Sequence, residues 1–153
     1  MRNPTLSKYL MKLLFWGLLL FFVLFYPMLI SFYVFLPLLI GVMGYLFISG
    51  IDRGKWGYVL IALIYFINLE VNLSLPFFLI LISVLIVYMT FYGTLSHLKK
   101  CRICIPILTV LLIDLVYLGV LLAYDFIFST HSIMLDTILL YSLIVDLLVV
   151  VVI

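Results

Sequence analysis

The chain has 153 residues, 69% of them apolar and only 9% charged, with eight basic and six acidic side chains and a net charge of +2. Mean hydropathy is +1.52, whereas a soluble domain carries roughly a quarter charged residues, so water is excluded as the solvent of most of this chain. So small a net charge, scattered over short loops, speaks against a nucleic-acid partner, and continuous apolar runs without alternation speak against a membrane β-barrel.

The fold class that follows is all-α: a polytopic integral membrane helical bundle, a single transmembrane domain over 1–153 with about six spans. Arg2, Lys8 and Lys12 precede the first apolar run, as in a signal peptide. The run outlasts an h-region, and no small-x-small cleavage site follows. The only alanines are Ala62 and Ala123. This segment is expected to stay as a membrane anchor.

The first span covers roughly 9–27 and is expected to end at Tyr26-Pro27, because proline lacks an amide donor and restricts the residue before it. The second covers roughly 32–50 and leads into the charged loop Asp52-Arg53-Gly54-Lys55. The third, roughly 56–69, meets a polar turn, Glu70 to Ser74, and Pro76 is expected to open the fourth, roughly 76–92. The loop Gly93 to Arg102 carries His97, Lys99 and Lys100. The fifth span covers roughly 105–128. A turn from Ser129 to Ser132 leads to the sixth, roughly 134–153. No linker, internal repeat or low-complexity tail is visible.

Lysine and arginine favour the cytoplasmic side. With six spans, Arg2, Lys8, Lys12, Arg53, Lys55, Lys99, Lys100 and Arg102 all fall on one side. Both termini are therefore expected in the cytoplasm, and five or seven spans would spoil this partition.

A charge inside a membrane helix costs about 2.5 kcal/mol or more at the centre, so intramembrane acids are the candidate functional residues. Asp114 lies about nine residues, roughly 14 Å, into the fifth span, near the midplane. Asp125 follows eleven residues later, on nearly the same face. Asp146 reaches a depth similar to that of Asp114 on the adjacent antiparallel helix. Asp136 opens the sixth span, where the helix dipole favours an acid. Two readings stand open for Asp114 and Asp146. They form a proton- or cation-handling pair, in which one carboxyl holds a proton, or each is hydrogen-bonded within the bundle or to a partner helix.

Other motifs are weaker. Cys101-Arg102-Ile103-Cys104 is a C-x-x-C, but a structural zinc needs four ligands, and the cytoplasm is too reducing for a structural disulfide. Asn72-Leu73-Ser74 matches a glycosylation sequon but lies too near the membrane. His97 and His131 are isolated. The aromatics fit lipid-facing and interfacial belts. Gly41-Val42-Met43-Gly44 falls short of a small-xxx-small repeat. No catalytic set, metal site or cofactor motif is present, so no enzyme is expected.

The stretch Tyr45-Leu-Phe-Ile-Ser-Gly-Ile-Asp-Arg-Gly-Lys-Trp-Gly57, then Ile67-Asn-Leu-Glu-Val-Asn-Leu-Ser-Leu-Pro76, and Leu112-Ile-Asp-Leu-Val-Tyr117 downstream, resembles the MreD family, the small membrane subunits of the bacterial rod-shape system. The similarity covers about 36–128. Asp114 matches the family's aspartate in its penultimate span. The family's turn aspartate falls on Asn68, with Glu70 two residues on, and its following glycine is Pro76. The resemblance implies a non-catalytic protein of the bacterial inner membrane, scaffolding cell-wall elongation through helix contacts with MreC-type partners, and through them with RodA and its transpeptidase. Asp114, Asp146, Asp125, Glu70 and Asn68 would supply polar contacts to a partner or within the bundle. The alternative is a small transporter, or the substrate-binding membrane subunit of a vitamin or metal uptake system, in which Asn68, Glu70, Asn72, Asp125, His131 and Asp136 gather near the outer surface.

Overall fold

The protein was analysed as a computed structural model, which describes residues 4–33, 35–95, 103–129 and 133–152. Among these the secondary structure is helical throughout, in six helices. These are α1 (Pro4–Phe32), α2 (Ile40–Asp52), α3 (Trp56–Asn72) and α4 (Leu79–Val87), then α5 (Cys104–Phe128) and α6 (Ile133–Val152). Beyond Val87, α4 runs on through a π-helical turn, Tyr88–Tyr92, into a last turn, Gly93–Leu95. Long apolar runs with few helix breakers make helix the only way to pair every backbone group internally. Two helices, α1 and α5, are long and apolar enough to cross a membrane; the others are shorter apolar helices.

α5 is the axis of the bundle. It packs against α2, α4 and α6, while α2 also lies along α3, and α1 packs chiefly on α3. The close approach of α2 to α5 depends on two glycines. A Cβ on Gly41 would stand 2.6 Å from Val110 Cγ1, and one on Gly44 would stand 2.9 Å from Ile113 Cδ1. The G-x-x-G spacing, dismissed above, thus places both glycines on the face that meets α5. The core around this contact includes Ile40, Ile48, Tyr65, Phe66, Ile80, Val84, Ile113 and Tyr117, each essentially inaccessible. Outside it, the bundle is apolar: on α1, Leu10, Met11, Leu13, Leu14 and Phe15 are all more than half exposed.

Several helix boundaries differ from the sequence-based expectation, among them the start of α2, at Ile40 rather than near 32. First, α1 does not end at Pro27 but continues to Phe32. Proline removes the amide that would pair with the Val23 carbonyl and crowds that turn. The side-chain amide of Asn68 on α3 takes its place, donating to the Leu24 carbonyl at 2.8 Å and the Val23 carbonyl at 3.3 Å. Second, α3 carries on through Glu70 to Asn72 rather than turning at Glu70. Third, Pro76 does not open α4, which starts at Leu79.

The last difference exposes an internal repeat. Leu36-Pro37-Leu38-Leu39-Ile40-Gly41 and Leu75-Pro76-Phe77-Phe78-Leu79-Ile80 lie 39 residues apart. In each, the residue two after the proline adopts a left-handed conformation, Leu39 at φ 51° and Phe78 at φ 65°, and a helix begins immediately after it. Equivalent positions in the two helices are buried: Ile40 with Leu79, Gly41 with Ile80, Gly44 with Ser83, and Ile48 with Val87.

Candidate functional site

A helix begins with backbone amides that have no partner within the helix. α2 and α4 both begin inside the bundle, with an apolar cap residue whose side chain makes no capping bond. Their free amides are therefore satisfied from elsewhere, and two of the candidate acids, Asp146 and Glu70, serve this purpose.

At α2 the supply comes from three helices. The Leu38 amide donates to Ser142 Oγ at 2.9 Å, and the Gly41 amide to Asp146 Oδ2 at 2.8 Å, both on α6. The two carbonyls of the turn are met by phenols. Tyr26 on α1 donates to the Pro37 carbonyl at 2.9 Å, and Tyr65 on α3 donates to the Leu38 carbonyl at 2.7 Å. Ser142 and Asp146 are four residues apart, on one face of α6, so a single helical stripe reaches both amides. A carboxylate at this position also meets the positive end of the α2 dipole.

Asp114, on α5, reaches the same place from the opposite side. Both of its carboxylate oxygens lie where a Gly41 Cβ would be crowded, at 2.7 and 2.9 Å. Asp114 and Asp146 thus flank the Gly41 end of α2 from two sides. Asp146 is fully buried and Asp114 only 8% exposed. One oxygen of each, Asp114 Oδ2 and Asp146 Oδ1, has no hydrogen-bond partner, and neither has the hydroxyl of buried Tyr117.

At α4 one residue does the equivalent work. Glu70, buried at the end of α3, accepts from the Phe78 amide through Oε2 at 2.8 Å and from the Ile80 amide through Oε1 at 3.0 Å. Ile80 occupies the position of Gly41 in the repeat. Tyr117, three residues after Asp114 on α5, lies within electrostatic reach of Glu70. α5 thus passes both helix starts, presenting Asp114 at one and Tyr117 at the other.

The structure therefore brings Asp114 and Asp146 to one point and puts Glu70 at a second, related point. Asn68 stands apart from both, held by Asn72, whose amide donates to the Asn68 side-chain oxygen at 2.7 Å. Asp125 is partly buried and lies about 16 Å along α5 from Asp114, at 1.5 Å per residue. The side chain of Asp136 lies outside the described residues, as do His97, His131, Cys101 and Arg102; Cys104 begins α5 and is disulfide-bonded, against the expectation that no disulfide forms there. Sequence reasoning missed Ser142, Gly41, Tyr26 and Tyr65. The signal for Ser142 was its place one turn from Asp146 in an apolar helix, and the signal for the tyrosines was only the unexplained Pro37. No group of three or more His, Cys, Asp or Glu side chains suited to a metal occurs among the described residues.

No protein-family model, curated protein or solved structure matches the chain.

Proposed function

We propose that this chain is a non-catalytic, multi-pass subunit of a bacterial inner membrane, similar in role to MreD, that assembles with membrane partners of the MreC type through helix-to-helix contacts. In this proposal all six helices lie in the bilayer, both termini are cytoplasmic, and the RodA synthase and its transpeptidase are reached through the partner.

One observation carries it. The buried polar groups of the described helices are largely committed to backbone amides and carbonyls, and the outer faces, apart from exposed side chains such as Lys8, Lys12 and Asp52, are mostly apolar. Helices associate in lipid by close packing rather than by burial from water. α1 fits such a role best, because it packs chiefly on α3 and leaves Leu10 to Phe15 uncovered on every side. The short α2 also agrees with a bilayer setting. Its thirteen residues extend only about 20 Å, less than the roughly 30 Å hydrocarbon core. The turn before it then lies at membrane depth, where irregular backbone is tolerated only when protein groups satisfy it.

Co-purification tests the proposal. The tagged chain, solubilised in mild detergent, is expected to retain an MreC-type protein, and its depletion is expected to turn rods into spheres. Normal rod shape after depletion would refute it.

The transporter reading keeps one specific observation in its favour: a helix N-terminus inside the bundle, faced by two acids with unsatisfied oxygens. Discontinuous helices of this kind form the substrate and ion sites of many transporters. Thermal stabilisation of the isolated chain by a vitamin or a transition-metal ion, beyond any effect of Na+ or K+, would support that reading over the scaffold.

A further inference from the structure

We propose that Asp114 and Asp146 hold a desolvated monovalent cation at the buried start of α2. The site begins with a charge imbalance. Two carboxylates face one helix N-terminus, which offers about half a positive charge. Every basic residue whose side chain is described, Lys8, Lys12, Arg53 and Lys55, is exposed on the outside of the bundle.

The unsatisfied atoms point the same way. Asp146 spends Oδ2 on the Gly41 amide and keeps Oδ1 without a partner, in a residue with no exposure. Asp114 keeps Oδ2 without a partner, in a residue nine-tenths buried. Buried polar atoms in native proteins nearly always have partners, and a carboxylate oxygen can be met only by a donor or a cation.

The phenols of Tyr26 and Tyr65 add acceptors, not donors, to these surroundings. Tyr26 and Tyr65 each direct their hydroxyl hydrogen away from the acids, donating to the Pro37 and Leu38 carbonyls. What remains on each phenol oxygen is lone pairs. Carboxylate and neutral oxygens together are the ligand chemistry of hard cations. A divalent ion demands six or more oxygens, several of them from carboxylates or retained water. Here the acids number two, and no third metal-ligating side chain joins them among the described residues. A single positive charge matches this set best. Such an ion would fasten α2 to α5 and α6 at once, so the inference concerns the integrity of the bundle and stands apart from which partner the chain engages.

The test uses the full chain purified in detergent, with its unfolding midpoint measured at fixed pH and ionic strength in NaCl, KCl or choline chloride. Na+ or K+ is expected to raise the midpoint saturably over choline, by roughly 5 °C at a hundredfold excess over Kd. Asp114→Asn removes one anionic ligand but leaves the bond from the Gly41 amide to Asp146, and it is expected to abolish the shift. Asp52→Asn, outside the site, is expected to retain it. Equal midpoints in all three salts, or an undiminished shift in Asp114→Asn, would overturn the proposal. Should Asp114→Asn fail to fold, saturable binding of radioactive 22Na+ or of 86Rb+, a K+ surrogate, to the unmodified chain decides: one ion per chain supports the site, and no saturable binding of either refutes it.

Discussion

Pro27 and Asn68 form a pair that no local rule connects. The proline leaves a carbonyl on α1 without its amide, and a side chain 41 residues away supplies the replacement. Asn68→Leu strands the Val23 and Leu24 carbonyls in apolar surroundings, at an expected cost of about 1–3 kcal/mol, measurable as a lower unfolding midpoint in detergent. Pro27→Ala restores the amide, so in that background Asn68→Leu is expected to cost much less. A double-mutant cycle reads the difference, and equal costs in the two backgrounds would show that the carbonyls do not depend on Asn68. Gly41 makes a second test at this scale. Gly41→Ala drives a methyl against Val110 and the Asp114 carboxylate, an overpacking expected to cost about 1–3 kcal/mol. Gly119→Ala, with nothing within 4 Å of the new methyl, is expected to be neutral or to stabilise α5 by up to about 1 kcal/mol. If the two alanines behave alike, the close approach of α2 to α5 is not what demands glycine at 41.

The repeated Leu-Pro turn is the unit of organisation among the elements. Each copy ends with an apolar residue in a left-handed conformation, and each hands its helix start to an acid from another helix, Asp146 for α2 and Glu70 for α4. An α4 deprived of Glu70 keeps two buried amides with nothing to bond. Glu70→Ala is accordingly expected to destabilise by about 2–6 kcal/mol, at about 1–3 kcal/mol for each stranded amide. Glu70→Gln, which retains one acceptor oxygen, is expected to fall between alanine and the unmodified chain. Hydrogen exchange should quicken first at Phe78 and Ile80; unchanged protection there would refute the cap. These elements also show what the sequence discloses and what it hides. The six helical segments are legible because continuous apolar runs, without the alternation of a strand, leave little choice but helix. The depth match of Asp114 and Asp146 follows from counting 1.5 Å steps. The break between α1 and α2 is misplaced at Pro27, because a missing amide is a local fact while its repair by Asn68 is a remote one. The true break, around Pro37, hides for the converse reason: its turn is held by Tyr26, Tyr65, Ser142 and Asp146, residues that look unrelated until the bundle gathers them. The repeat escapes notice because only the leucine and proline are identical, and the shared conformation at Leu39 and Phe78 leaves no compositional mark.

Over the whole molecule, charge and fold make a joint demand on orientation. The turns holding Pro37 and Pro76 and the end of α5 lie toward one end of the bundle, and the Asp52–Lys55 loop and the start of α5 toward the other. Lys8, Lys12, Arg53 and Lys55, the basic residues whose side chains are described, belong to the second end, which in a bacterial inner membrane is expected to face the cytoplasm. Green fluorescent protein fused after residue 153 should then fluoresce, since it matures in the cytoplasm. Alkaline phosphatase fused after Ser129, at the opposite end of α5, should be active, since it folds in the oxidising periplasm. A cysteine at position 39, in a chain whose native cysteines are replaced by serine, should resist a membrane-impermeant thiol reagent. The turn that carries it is then lodged inside the bundle, below the periplasmic surface. A cysteine at exposed position 35, where the same connection leaves α1, should react more readily. Inactive phosphatase with a dark C-terminal fusion would reverse the orientation, and equal labelling at 35 and 39 would show that α2 starts at the water boundary instead of within the membrane. The latter result would also remove the need for Asp146, Ser142 and the two tyrosines, since water could then satisfy the turn that they hold.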